Sequence, residues 1–284
     1  MRYPDAGARA SASHTGAGAS ASHAGAAAPA STLVRILFSF ALLVMAALAY
    51  LGARERHQAA GATPIDLSPE QEVALGVQST PVLAAELGGL DSDPAIQRLV
   101  QEVGGRLATV PAAATSPYLF DFQVLADTRT ANAFALPGGP IFITRALYSR
   151  LENEAELAGI LAHEIGHVVA RHSAEQIARA SLSTSGAVTA DLLAIEYRPG
   201  DELAADALGV ELMSAAGYDP RALVDAMRLL EASRREPQAS GFARAHADPG
   251  DRAARIGQAI DRRFPNGGAA DLTTGKDLRA GGSS

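Results

Sequence analysis

Between Glu152 and Arg171 the chain carries Leu157, Ile160, Leu161, Ile165 and Val168 at helical spacing, with no proline and only Gly159 and Gly166 to weaken the run. That stripe dictates a helix seated on an apolar core. The same stretch places His163 and His167 four residues apart, with Glu164 directly after the first. Positions i and i+4 share a helix face, so both imidazoles can converge on one point. Burying such groups without partners is costly, which leaves a metal ion as the main use for them. Glu164 then lies beside the ion rather than on it, placed as general base for a water. The competing reading is an amphipathic helix with two surface histidines, and the apolar stripe weighs against it.

The rest of the 284 residues bounds the domain. Residues 1–32 are a low-complexity run of Ala, Gly, Ser and His, which cannot bury a core and is expected to be disordered. Leu33 to Leu51 is apolar except for Arg35 and Ser39. At roughly 1.5 Å per residue it approaches the hydrocarbon thickness of a bilayer. Residues 33–52 therefore read as a membrane anchor, or as a signal segment cleaved after Ala47-Leu48-Ala49; the long stretch before it favours the anchor. Residues 53–64 read as a linker, 65–264 as one domain, and the Gly-rich, polar stretch 265–284 as a second disordered tail. With no cysteine, a disulfide framework and thiolate–zinc chemistry are both excluded, leaving His, Asp and Glu as ligands. A net charge of −7 with no basic stripe argues against nucleic acid.

Within the domain, Ser68-Pro69-Glu70-Gln71 reads as a capping box opening a helix, which Pro81 should stop or kink near Ser79. Asp93-Pro94 opens another, with Ile96, Leu99, Val103 and Leu107 at helical spacing. The period then changes: Tyr118, Phe120, Phe122 and Val124 alternate with polar residues as in a half-buried strand. Pro137-Gly138-Gly139-Pro140 forces irregular backbone before a strand at Ile141 to Thr144. Because Pro140 cannot donate to a ladder, this strand is expected at a sheet edge. There Gly139, Ile141, Phe142 and Ile143 would pair with an extended peptide by strand addition, or would simply end the sheet. Ala178 to Ala190 shows little pattern; a helix begins near Gly200, ends by Ala216-Gly217, and another runs from Arg221 to about Ala232. The fold class expected is α+β, predominantly helical, with a small antiparallel sheet whose edge strand borders the metal site.

Two histidines do not hold a catalytic zinc; a third ligand is needed. Glu202, 35 residues beyond His167, is the candidate, with Asp206 one turn further to steady a ligand histidine. A solvated acidic helix face explains the same pair. His172, after Ala170 and Arg171, reads as a helix-end residue whose cationic form suits the dipole.

Taken in order, these pieces resemble the M48 group of zinc metallopeptidases, in particular its bacterial, periplasm-facing members, and the resemblance spans about Ser68 to Ile256. It is carried by Ser68-Pro69-Glu70-Gln71-Glu72 with Leu75-Gly76, by Asn132 to Gly139, by Glu154 to His172, by the Glu202-x-x-Ala205-Asp206 run, and by Ala216 to Pro220 with His246 and Arg252. The pattern departs at Tyr197-Arg198-Pro199-Gly200-Asp201, where Ser-Arg is usual, at Ala204, and at His246-Ala247-Asp248-Pro249. The resemblance implies a zincin-like domain with one zinc per chain, held by His163, His167 and Glu202, with Asp206 behind His163 or His167. Glu164 would act as base, and His246 would either stabilise the oxyanion or block the zinc, if it is not merely structural. It implies an endopeptidase acting on unfolded or extended polypeptides in envelope quality control, on the periplasmic side. The alternative carried alongside is a membrane-tethered, chaperone-like binding protein whose zinc site is closed or idle.

Overall fold

The structure, a computed structural model, describes residues 67–181, 196–234, 246, 252–266 and 272–279. The segments expected at 1–32, 33–52 and 53–64 lie outside the described residues, as does most of the weakly patterned stretch beyond Ser181.

Helix α1 (Pro69–Glu86) opens with the anticipated capping box: Gln71 N donates to Ser68 Oγ, and Ser68 N donates to the Gln71 side chain at 2.8 Å. It does not stop at Pro81 but runs on to Glu86. Pro81 is exposed, and so is Val77, whose carbonyl loses its helical partner and can take water instead. Beyond the proline, Leu83 and Ala84 are buried with Leu125, Leu136 and Phe142, so packing holds the last turns in place. Helix α2 (Pro94–Ala108) is capped by Asp93, which accepts from Ala95 N and Ile96 N, and a short α3 (Pro111–Ala114) follows.

Three strands come next: β1 (Asp121–Leu125), β2 (Ala133–Ala135) and β3 (Pro140–Thr144). Their order is β1-β3-β2, with β1 parallel and β2 antiparallel to β3. The sheet is therefore mixed rather than antiparallel, and the strand expected at an edge is its centre. Pro140 is accommodated because it is the first residue of the strand and is used there through its carbonyl, which accepts from Leu136 N at 2.8 Å. Gly139 has φ +128, and a Cβ on it would fall 2.2 Å from the Leu119 carbonyl oxygen. The Pro-Gly-Gly-Pro turn thus lets the chain pass against the residues leading into β1.

A one-turn α4 (Arg145–Tyr148) leads to α5 (Glu154–Val169), the helix of the His-Glu-x-x-His run. Every residue from Ala155 to Val168 is buried. The sequence stripe is the most apolar side of a helix enclosed on all sides, not of one half-exposed. Helices α6 (His172–Ser181), α7 (Pro199–Ala215), α8 (Arg221–Arg234) and α9 (Arg252–Arg263) follow among the described residues. Helix α7 lies hard against α5: a Cβ added to Gly166 would sit 2.9 Å from Ala205 Cα. This glycine, inside the motif, is what allows the two helices that carry the site to touch.

Residues 272–279 are not a loose tail. Glu154 N and Ala155 N, two donors of the first turn of α5 with no intrahelical acceptor, donate to Lys276 O and Thr274 O, each at 2.9 Å. Thr273 exchanges backbone bonds with Gly217 and Asp219 at the turn after α7, and Leu278 N donates to Glu152 O. A Gly-rich, polar composition does not reveal such a strap, because its binding is through backbone.

Candidate metal centre

Helix α5 directs His163 Nε2 and His167 Nε2 to within 3.1 Å of each other. Helix α7 brings Glu202 opposite, with Oε2 3.5 Å from His163 Nε2 and Oε1 3.5 Å from His167 Nε2. His246 joins them, its Nδ1 3.0 Å from Glu202 Oε1 and 3.2 Å from His163 Nε2. One donor atom from each of the four residues lies within 4.8 Å of all the others, and all four residues are buried. Zinc bonds of about 2.0–2.1 Å arranged tetrahedrally set donor atoms about 3.3 Å apart, so the spacings here match a single cation.

The electrostatics agree with that geometry. Glu164, Glu202 and Asp206 are buried together, and Arg252 is the guanidinium set against them. Two ring nitrogens 3.1 Å apart cannot both carry protons, and the two histidines differ in which is favoured to hold one. Burial disfavours the His163 imidazolium, but hydrogen bonds to Asp206 and Glu202 outweigh it and raise its pKa to about 9. Burial holds His167 well below its ordinary value. A divalent cation held by these residues would take the place of that proton. Glu202 pays a burial penalty, yet the neighbouring histidines hold it far below the usual carboxylate range.

Glu164 is different. Both of its carboxylate oxygens are buried and accept no hydrogen bond from the described residues, and burial pushes its pKa up. Its Oε1 lies 3.5 Å from His246 Nε2. A desolvated carboxylate beside the donor cluster, but not part of it, is placed to take and return a proton.

The ligands are themselves held. His163 Nδ1 lies 3.0 Å from Asp206 Oδ1, and Asp206 accepts two further bonds from Arg252, at 2.7 and 2.8 Å. Arg252 also reaches Glu202 Oε2 at 2.9 Å, so one guanidinium from α9 orients the Glu202 and Asp206 carboxylates together. Although burial opposes it, these bonds keep the Asp206 pKa low. Tyr197 stacks on His167, with ring centroids 3.7 Å apart and planes 20° apart, and its hydroxyl meets Ser173 Oγ at 2.7 Å.

His163, Glu164, His167, Glu202, Asp206 and His246, all anticipated from the sequence, therefore come together. The solvated-face alternative for Glu202 and Asp206 fails, since both are buried. Gly139, Ile141, Phe142 and Ile143 do not come to a free edge: β3 is paired on both sides and wholly buried. His172 does stand at a helix end, but as the buried first residue of α6, where burial disfavours its cationic form, and its Nδ1 lies 3.0 Å from His167 Nδ1. Tyr197, Ser173 and the orienting role of Arg252 had no sequence signal of their own; each depends on a contact made across more than 20 positions.

Two imidazoles and a carboxylate from facing helices, with a second carboxylate beside them, form the donor set of a metal-dependent hydrolase. The comparisons narrow that class. The model of Peptidase family M48 matches residues 94–196 and 181–260, and the chain belongs to that family. It is 31% identical over 197 residues to the beta-barrel assembly-enhancing protease of Yersinia pestis, covering 60% of this chain and 39% of that protein. It is 34% identical over 154 residues to the mitochondrial metalloendopeptidase OMA1 of Schizosaccharomyces pombe, covering 48% of this chain and 45% of that protein. The chain thus spans less than half the length of these curated relatives.

Proposed function

We propose that the chain is a zinc-dependent endopeptidase that cleaves unfolded or extended polypeptides. The observation that carries this reading is the buried Glu164 carboxylate, without a hydrogen bond from the described residues, beside four donor atoms at single-cation spacing. His163, His167 and Glu202 would hold the zinc. When bound, zinc supplies Lewis acidity, polarising the scissile carbonyl and lowering the pKa of water towards about 7.

The protein's own groups do the rest. Glu164 takes the proton of the attacking water and delivers it to the leaving amine, a transfer its raised pKa favours. Asp206, fixed by Arg252, keeps the His163 proton on Nδ1 so that Nε2 stays a lone-pair donor. His246, with Nε2 facing Glu164 and Nδ1 facing Glu202, either donates to the developing oxyanion or occupies the substrate's place in a resting form.

Substrate pairing shifts from β3 to β2. In β2, Phe134 lies opposite Phe142, while the flanking bonds Thr144 N to Asn132 O and Leu136 N to Pro140 O complete that side of the ladder. By the alternation of an antiparallel pair, Ala133 and Ala135 turn their backbone groups outward. Ser173 Oγ already donates to Ala135 O at 3.2 Å, and both alanines are buried. Substrate must therefore displace a cover before it adds as a strand, which selects extended chain and reads side chains loosely. Membrane association is supported by the apolar stretch 33–51, and an envelope location with the domain on the periplasmic side follows from the M48 resemblance.

The covered edge and the position of His246 also favour the rival, a binding protein with an idle site. Casein cleavage by zinc-loaded wild type and Glu164→Gln separates the two. We expect cleavage by wild type and at least a hundredfold loss in the variant, of the order removal of a general base costs. Cleavage undiminished in Glu164→Gln overturns the mechanism, and wild type that binds unfolded casein without cutting it supports the rival.

A further inference from the structure

The outer nitrogens of the two ligand histidines are held by unlike groups. For His163 the holder is a carboxylate, Asp206. For His167 it is another imidazole: His172 Nδ1 lies 3.0 Å from His167 Nδ1, with ring centroids 5.0 Å apart and planes at 70°. The chain reaches this arrangement through Arg171, whose φ of 62 breaks the path of α5 and turns His172 back onto the helix just left. On the far side of the His172 ring, Nε2 lies 3.9 Å from Asp201 Oδ1. Asp201 is in turn fixed by Arg198, at 2.8 and 3.0 Å.

We propose that His172 is a positioning residue that fixes His167 as its Nδ1–H tautomer and thereby aims the Nε2 lone pair at the metal position. The proposal rests on the reading that His163, His167 and Glu202 hold the zinc. A neutral imidazole has one N–H and one lone pair. With Nε2 turned to the donor cluster, His167 carries its proton on Nδ1 and needs an acceptor there. His172 Nδ1 accepts when the His172 proton is on Nε2, the side that faces Asp201. The result is a directed relay: His167 Nδ1–H donates to His172 Nδ1, and His172 Nε2–H faces the Asp201 carboxylate. Tyr197 sets the plane of the His167 ring by stacking, and His172 sets its rotation within that plane. A neutral holder makes His167 a less basic ligand than His163, so the two bonds to the cation are unequal.

Two measurements on the full chain test this. In the zinc-loaded protein, two-bond proton–nitrogen correlations of the imidazole rings show which nitrogen of His167 is protonated; we expect Nδ1. Zinc affinity, read by competition with a chromophoric chelator, is compared in wild type, His172→Leu and His172→Asn. The asparagine amide oxygen reaches the place of His172 Nδ1 and preserves the acceptor, whereas leucine fills space without one. We expect the leucine variant to bind zinc about 10- to 100-fold more weakly and the asparagine variant to stay within about threefold of wild type. Equal affinity of His172→Leu and wild type, an asparagine variant as weak as leucine, or a proton on His167 Nε2 each overturns the proposal while leaving the metal site standing. Wild type that takes up no zinc overturns the metal reading itself. If the leucine variant does not fold, the tautomer of His167 in wild type decides the matter alone.

Discussion

Replacing Gly166 with alanine tests how closely the site depends on the contact between α5 and α7. The added Cβ would stand 2.9 Å from both Ala205 Cα and the Ala205 carbonyl oxygen, where ordinary contact begins at 3.4 Å. Both are backbone atoms, so no side-chain rotation relieves the overlap. The helices must part by about 0.5 Å, the difference between those two distances, and Glu202 sits three residues from Ala205 on the helix that moves. Alanine gains about 1 kcal/mol of helix propensity over glycine, while overpacking costs about 1–3 kcal/mol. Net stability therefore falls by up to about 2 kcal/mol, a drop of roughly 2–4 °C in Tm per kcal/mol for a domain of this size. The larger effect is on the site. A misplacement of about 1 Å costs about a hundredfold in rate, so half of that should cost about tenfold in casein cleavage, with zinc affinity falling alongside. Gly257→Ala is the control, since a Cβ there meets nothing within 4 Å; it should raise stability and leave zinc binding unchanged. Zinc affinity and cleavage in Gly166→Ala equal to those of wild type would refute the argument that this contact sets the ligand geometry.

Asp206→Asn removes the charge that holds His163 and opposes Arg252. It should weaken zinc about 10- to 100-fold and lower stability by about 3 kcal/mol, read by chelator competition and thermal melting. Ending the chain at Asp271 takes away the acceptors of Glu154 N and Ala155 N, so unfolding in urea should show a loss of about 1–3 kcal/mol; an unchanged midpoint would mean the strap carries no stability. Burial and the bond to Glu154 push Tyr218 up to about 12 from an ordinary 10. A folded-state pKa raised in this way contributes stability below pH 10 that is lost as the pH rises towards 12. Urea midpoints between pH 9 and 11.5 should therefore fall more steeply in wild type than in Tyr218→Phe.

The site was legible in the sequence to the extent that it is local or motif-bound. His163, Glu164 and His167 share one helix, and Glu202 with Asp206 share another, so helical periodicity places each set on a face. The capping box at Ser68 and the Asp93-Pro94 start are local as well, and both stand in the structure. Sheet order was not legible, because Pro140 announces only that one donor is missing. A strand can meet that constraint at its first residue as well as at an edge, and only the pairing of β1 and β2 with β3 decides between them. Pro81 misled for a related reason: the cost of a helical proline is local, but what offsets it is the burial of Leu83 and Ala84 against strands 40 or more positions away. The contact of His172 with His167 was not legible, because the turn at Arg171, with φ 62, is a backbone event that side-chain types do not encode. The strap at 272–279 binds through peptide groups, which composition cannot show.

The central claim is that His163, His167 and Glu202 together hold one zinc ion, and metal content measures it most directly. The purified full chain, dialysed against limiting chelator, should retain one zinc per chain, and Glu202→Ala treated identically should retain almost none. Stoichiometric zinc at unchanged affinity in Glu202→Ala would contradict the account.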